Sequence, residues 1–532
     1  MRADAYAQSL LDKNYQLFWN HVKKSYNVKS TKFANSIAGC SGDAAITDMW
    51  MTHFNQLYNS VNDSTSKELF YEQVSSVASS ANSTFAANDV AEACVKQKTG
   101  KSVGHDGVAM EAFIFGGRKL HVHIALLFNL FVKYAYVPQT FMQSVIVPLV
   151  KCKTGNLSDV NNYRAICIST AISKLFEHLL SGYLTSMNEA DDYQFGFTAG
   201  HSTSLCTYAL KRTVDYYTDR GSHVFACFID FSKAFDKVNY WKLFLKLLDD
   251  KCNVNVVKLL AYWYSHQEAC VRWRSVSQFF SIGNGTRQGG VLSPRLFARY
   301  IREVLYEVVN SGIGCNVGGL MLNILAYADD IVLICPSWRG LQRLLDLLVV
   351  NISNIDMVAN PAKSVCMVFA PKKRVNIVSA SFPHLQLGSE QLEFVDNFKY
   401  LGHRIVDSNT DDSDIQRELS NLFVRTNILL RRFCKCTKLV KVALFKSYCL
   451  CMYDTALWKR YNATTISKLR SAYNKCIKIF FGFRRRDSMT NVLFQLGLPS
   501  FDTIIHNASF SFLRQSSMCN NRLVKHLLAL RC

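Results

Sequence analysis

The chain of 532 residues has no apolar run near the ~18–20 residues that would cross a bilayer. One of its longest, residues 124–132, is interrupted by Asn129. The opening stretch, MRADAYAQSLLDKNYQLFW, lacks the apolar centre of a signal peptide. A membrane partner is therefore not expected. There are 18 cysteines but no CxxC pair, and the closest spacings are Cys434/Cys436 and Cys449/Cys451. That excludes a zinc knuckle or finger and favours free thiols in a reducing compartment. Internal repeats are also missing. Acidic residues are scarce at one end only: residues 415–532 hold 21 Lys and Arg against 4 Asp and Glu, a net of +17 out of +21 for the chain. A basic segment of this kind suits a polyanion such as nucleic acid, the alternative being a solvated cationic face.

What is present is a globular composition, 49% hydrophobic and 19% charged, in a chain too long for one core, so two to four subdomains are expected. Residues 1–90 read as a helical connector that ends in the linker-like SSVASSANSTFAAND. Residues 91–405 alternate strand-like and helix-like stretches, an α+β order. Residues 406–532 read as basic and helical. Within the middle region, 224–231 (VFACFIDF) reads as a buried strand, 291–308 as a helix, 323–334 as a hairpin, 341–352 as a helix and 364–369 as a strand.

Two acidic positions break the apolar pattern. LAYADDIVLIC (325–335) sets Asp329 and Asp330 in an otherwise buried hairpin. A buried, unpaired carboxylate costs several kcal/mol after relaxation, and adjacent ones repel. Either this is an exposed hairpin tip with apolar arms, or a divalent cation neutralises the pair. FIDFSKAFDKV (228–238) repeats the anomaly with Asp230 at the end of a strand. Two strands presenting Asp230 and Asp329 side by side would suit two ions ~3.5–4 Å apart, the arrangement of two-metal phosphoryl transfer. Between them lies GNGTRQGGVLSP (283–294), whose glycines allow close backbone approach and whose Arg287 and Gln288 offer directed donors. The helix that follows is expected to aim its N-terminus at the same place. Asp236 reads as a helix-capping or ion-paired residue.

In this order the three blocks resemble the palm of a reverse transcriptase, and their wording resembles that of LINE-type (non-LTR) retrotransposons. Upstream, KSVGHDG (101–107) resembles the extra N-terminal finger motif of that family. VIVPLVKCKTGNLSDVNNYRAICIST (145–170) resembles its fingers, and Lys174, Glu177 and QFGFTAGHST (194–203) follow in order. Downstream, NPAKSVCMVF (360–369) and FKYLG (398–402) resemble the family's lysine motif and primer grip. The resemblance implies a right-hand polymerase fold with fingers, an antiparallel catalytic palm sheet (core about 142–405) and a helical thumb. It implies an RNA-directed DNA polymerase that extends a DNA primer on an RNA template, with dNTP substrates and two Mg²⁺ or Mn²⁺ ions.

The implied roles follow. Asp230, Asp329 and Asp330 form the metal site, and Lys363 protonates pyrophosphate. Lys151 and Arg164 meet the triphosphate. Phe231, Phe235, Gln288 and Gly289 line the nucleotide pocket, with Phe235 as the gate against a ribose 2′-hydroxyl. Tyr400, Leu401, Gly402 and the Arg484, Arg485, Arg486 triplet contact nucleic acid, though the triplet also reads as merely solvated. Ala165 and Thr198 stand where the family usually has Pro and Arg, and the second change could weaken a template contact. Residues 18–61 resemble the connector that follows the family's endonuclease, so the chain reads as truncated, with an endonuclease supplied in trans. The alternative function is a catalytically silent nucleic-acid-binding remnant.

Overall fold

The computed structural model describes residues 17, 34, 36–76, 84–184, 192–371 and 382–530. Part of the linker-like stretch before residue 90 lies outside these. The central sheet is built around Val224–Ile229, six consecutive buried residues (VFACFI) with layers covering both faces. Such a strand reads as an unbroken apolar run because neither face meets water. Its neighbours are Asp330–Cys335 on one side and Val365–Phe369 on the other, both antiparallel to it. Ile324–Tyr327 extends the sheet beyond Asp330–Cys335, and Glu393–Phe394 closes the far edge in parallel. The helices Ser293–Asn310 and Trp338–Asn354 pack on one face of the sheet. The helix Thr203–Thr218 packs on the other. Val224–Ile229, Ile324–Tyr327, Asp330–Cys335, Val365–Phe369 and the helices Ser293–Asn310 and Trp338–Asn354 match the sequence expectations to within a few residues. A second sheet of four strands has Gln143–Val150 at its centre, antiparallel to Tyr163–Ser169 and parallel to Glu268–Val271.

The described part of the N-terminal stretch packs onto the central core. Ile46, Trp50, Phe54 and Tyr58 from helix Asp43–Leu57 and its cap, with Phe70 and Val74 from Ser64–Ser76, belong to the same core as the central sheet. Trp50 meets the rings of Tyr163 and Trp273 at 5.0 and 6.3 Å.

The C-terminal stretch divides. Helices Asp412–Phe433, Lys438–Cys449 and Ala463–Phe481 form a core of their own with Met489–Leu496. Phe512, Cys519, Leu523, Val524 and Leu527 return to the central sheet and pack with Phe195, Tyr208 and Cys315. A minority of the C-terminal bases form ion pairs inside the chain, as in Arg425–Glu418, Arg460–Asp215, Arg470–Asp502 and Arg522–Asp192. Every described cysteine is free, and no helix among the described residues is long and apolar enough to cross a membrane.

Candidate active site

The acids come together at one end of the central sheet. The register pairs Ile331 with Ile229. One further step along the same antiparallel register brings Asp330 opposite Asp230. Tyr327 pairs with Asp330 across a two-residue turn of Ala328 and Asp329. Ala328 has φ +60°, a conformation an alanine adopts only when its surroundings compensate. Gln194 supplies the compensation. Its side-chain Oε1 accepts from the Ala328 N–H at 2.8 Å, and its Nε2 donates to the Ala328 carbonyl at 3.2 Å. The neighbouring Phe195 N–H donates to the Ala326 carbonyl at 2.7 Å. A Cβ on Gly196 would lie 2.2 Å from the Ala328 nitrogen, so only glycine lets the two backbones touch. This brace, from a motif matched only by order, was not anticipated.

Asp230 is held through its backbone by the NPAKS segment. Its N–H donates to Ser364 Oγ at 3.1 Å, and its carbonyl accepts from the Asn360 N–H at 2.7 Å. Lys363 Nζ stands 3.8 Å from Asp230 Oδ2. Asp329 and Asp330 respond to the charges around them. Burial, then Asp329 and Asp230, push the Asp330 carboxyl up to about 6. Burial and the Asp230 charge also raise Asp329, while Arg164 opposes them. Lys151 is pulled down by burial and then by Lys363 and Arg164. Lys151, Arg164 and Lys363 thus form a cationic group beside the acids, and Lys233 belongs to it as a member not expected from the sequence.

Among the described residues no three Asp, Glu, His or Cys side chains form a cage that could hold an ion unaided. Mg²⁺ needs only one or two carboxylates when substrate phosphates and water complete its shell. A half-open acidic cluster flanked by cations that can meet phosphate fits that mode of binding.

Five expectations need correction, that for Asp236 among them. Arg287 does not point at a ligand: it is 5% exposed, and its Nη2 meets Glu177 Oε1 at 2.5 Å. Burial alone would lower its pKa, but Glu177 and nearby phenols and thiol raise it above the usual value. The helix starting at Ser293 does not offer its N-terminus to a ligand either. Glu177 Oε2 accepts from the Val291 and Leu292 N–H groups and takes that position from within. Phe231 is buried in the core and bridges Ala359, so its side chain does not line a pocket. Tyr400 is 3% exposed, with its ring 5.2 Å from Phe228 and its hydroxyl 3.3 Å from Cys206 Sγ. Of the FKYLG hairpin, Lys399 is exposed and the turn Leu401–Gly402 is partly so, and Tyr453 OH donates to the Leu401 carbonyl there at 2.7 Å.

Other residues stand where a pocket could use them. Lys151 and Arg164 are exposed at the ends of the paired strands Gln143–Val150 and Tyr163–Ser169. Phe235 is half-buried and stacks on Phe297 at 4.2 Å, with Phe197 edge-on at 6.0 Å. Its carbonyl accepts from the Thr286 N–H at 2.7 Å, which ties it to the glycine-rich loop. The Gln288 carbonyl accepts from the Cys167 N–H at 2.9 Å. Gly289 has φ +114° and is exposed. Asp236 neither caps a helix nor forms a close ion pair: it is buried and accepts from Tyr58 OH and Gln288 Nε2. Arg484, Arg485 and Arg486 are exposed in a turn where the Arg484 N–H donates to Asp487 Oδ2.

Residues 152–405 match the reverse transcriptase (RNA-dependent DNA polymerase) family, and all three acids lie inside the match. These residues are thus similar to a reverse transcriptase domain. The chain's relatives are proteins of non-LTR retrotransposons. A probable RNA-directed DNA polymerase from transposon X-element of Drosophila melanogaster is 28% identical over 258 residues, 47% of this chain and 27% of the relative. A Pol polyprotein from retrotransposable element R2 of Popillia japonica is 26% identical over 276 residues, 50% and 38% of the two chains. One from element R1 of Bradysia coprophila is 24% identical over 376 residues, 68% and 35%. The chain thus spans well under half the length of these relatives.

Proposed function

We propose that the protein is an RNA-directed DNA polymerase of a non-LTR retrotransposon that adds dNTPs to a DNA primer on an RNA template. The observation that carries this reading is the meeting of Asp230, Asp329 and Asp330 at one sheet end beside Lys363, Lys151 and Arg164. Asp230 and Asp329 are the residues that would hold two Mg²⁺ or Mn²⁺ ions, with Asp330 in support. Bound ions would activate the primer 3′-hydroxyl and steady the leaving pyrophosphate. Lys151 and Arg164 bind the triphosphate and orient it. Lys363 holds a proton at Nζ for the departing pyrophosphate. Phe235, fixed against Phe297, fills the space a ribose 2′-hydroxyl would need. Gln288 and Gly289 border the nucleotide pocket. The thumb and the Leu401–Gly402 turn grip the duplex through sequence-blind backbone contacts.

The test is primer extension on a heteropolymeric RNA with Mg²⁺ or Mn²⁺. Extension by the wild type and none by Asp230→Asn supports the reading. RNA binding with no extension by the wild type supports a catalytically silent binding protein instead.

A further inference from the structure

The segment 58–63 lies far outside the matched domain in sequence and reaches its glycine-rich loop in space. The Tyr58 carbonyl accepts from the Gly283 and Asn284 N–H groups at 2.8 and 3.0 Å. Asn284 is fully buried. Its Oδ1 accepts from the Val61 N–H at 3.1 Å, and its Nδ2 donates to the Asp236 carbonyl at 2.7 Å. Gly285, with φ +91°, lies so close that a Cβ there would meet the Asp236 carbonyl oxygen at 2.5 Å. The side chains complete the link. Tyr58 OH donates to Asp236 Oδ1 at 3.2 Å, and Gln288 Nε2 donates to the same carboxylate at 3.2 and 3.4 Å.

We propose that Tyr58 is a positioning residue for the incoming nucleotide, acting through Asp236 on Gln288. The inference rests on the polymerase reading. An ionised carboxylate only accepts, so Asp236 fixes which end of the Gln288 amide faces it. The nitrogen turns to Asp236, and Oε1 is left to accept from a ligand donor. With its carbonyl tied to Cys167, Gln288 is held at both backbone and side chain. Tyr58 in turn holds Asp236 from the opposite side of the loop. Its phenol keeps its proton, because burial and then the Asp236 charge raise its pKa well above the usual value. The stretch before the catalytic domain therefore sets nucleotide affinity as well as supporting the fold.

The test uses the full chain on poly(rA)/oligo(dT) with a chain-terminated primer, reading the Kd for dTTP, and with an extendable primer, reading KM and kcat. Tyr58→Phe removes one hydroxyl and keeps the ring. A lost hydrogen bond to a charged acceptor predicts a rise of about 5–10-fold in Kd and KM, with kcat within about twofold. In a Gln288→Ala background the same substitution should change the Kd by less than about twofold, because its route of action is gone. An unchanged Kd in Tyr58→Phe, or the same rise in both backgrounds, overturns the inference. A fall in kcat with no change in Kd also overturns it and makes Tyr58 a structural support only. If the wild type binds dTTP but does not extend, the polymerase reading fails, while the Kd comparison still decides the role of Tyr58.

Discussion

Substituting Glu177 by Gln tests how the loop that carries Gln288 is held. Glu177 is 1% exposed and Arg287 is 5% exposed, and they meet at 2.5 Å. Arg287 Nε and Nη1 have no hydrogen-bond partner, and its guanidinium lies 5.2 Å from the Trp263 ring. Removing the acid leaves a buried cation uncompensated, which costs about 3–5 kcal/mol. Replacing both partners with apolar groups removes the charge as well as its partner and often costs little. Glu177→Gln and Arg287→Met should therefore each lose about 3–5 kcal/mol, and Glu177→Leu/Arg287→Met should lose less than either alone. Urea unfolding at constant m reads this out. The midpoint falls by the stability loss divided by m, and m is large for a chain of this length because it scales with the surface exposed on unfolding. A single-variant loss below about 1 kcal/mol, or a double variant that costs the sum of the singles, would refute the reasoning.

The YADD turn gives a second prediction. Gln194→Ala strips Ala328 of both side-chain hydrogen bonds and should cost about 1–3 kcal/mol in stability, with a fall in kcat larger than any change in RNA affinity, checked by melting and single-turnover extension. Phe235→Ala opens the space beside Phe297 and should raise incorporation of rNTPs relative to dNTPs by at least about tenfold, measured by competitive extension. The pH dependence follows from Asp236, whose carboxyl burial pushes up to about 6. A raised acid stabilises the fold below its unfolded pKa and loses that contribution as pH rises through about 6, where it ionises. Its hydrogen bonds from Tyr58 and Gln288 strengthen over the same range. Fold stability should thus fall as pH rises from about 4 to about 6 and then level off, dNTP affinity should rise as pH increases across 6, and Asp236→Asn should flatten both profiles.

Much of the site could be read from sequence because it rests on local rules. Asp230 and Asp329 stand out as carboxylates at the ends of strands whose other residues are buried, and the two strands pair as neighbours. The ordered motifs supplied the rest of that list. What sequence could not reveal depends on partners far away along the chain. Arg287 and the N-terminus of the helix Ser293–Asn310 both read as open to a ligand, but Glu177, more than 100 residues upstream, had already filled the place. Phe231 and Tyr400 sit next to functional positions, yet strand alternation turns their side chains into the core. Tyr58 and Asp236 are 178 residues apart, and no periodicity links them. The packing of the end segments was illegible for the same reason. Polar, serine-rich or basic composition describes a surface and does not show which core the intervening apolar residues enter.

The central claim is that three acids at one sheet end make this domain a polymerase. The most direct measurement is extension of oligo(dT) on poly(rA) with dTTP and Mg²⁺ by the wild type and by Asp329→Asn, at matched occupancy of primer–template. The account predicts extension by the wild type and none by the variant, with equal binding of nucleic acid. Equal extension by the two proteins would contradict it.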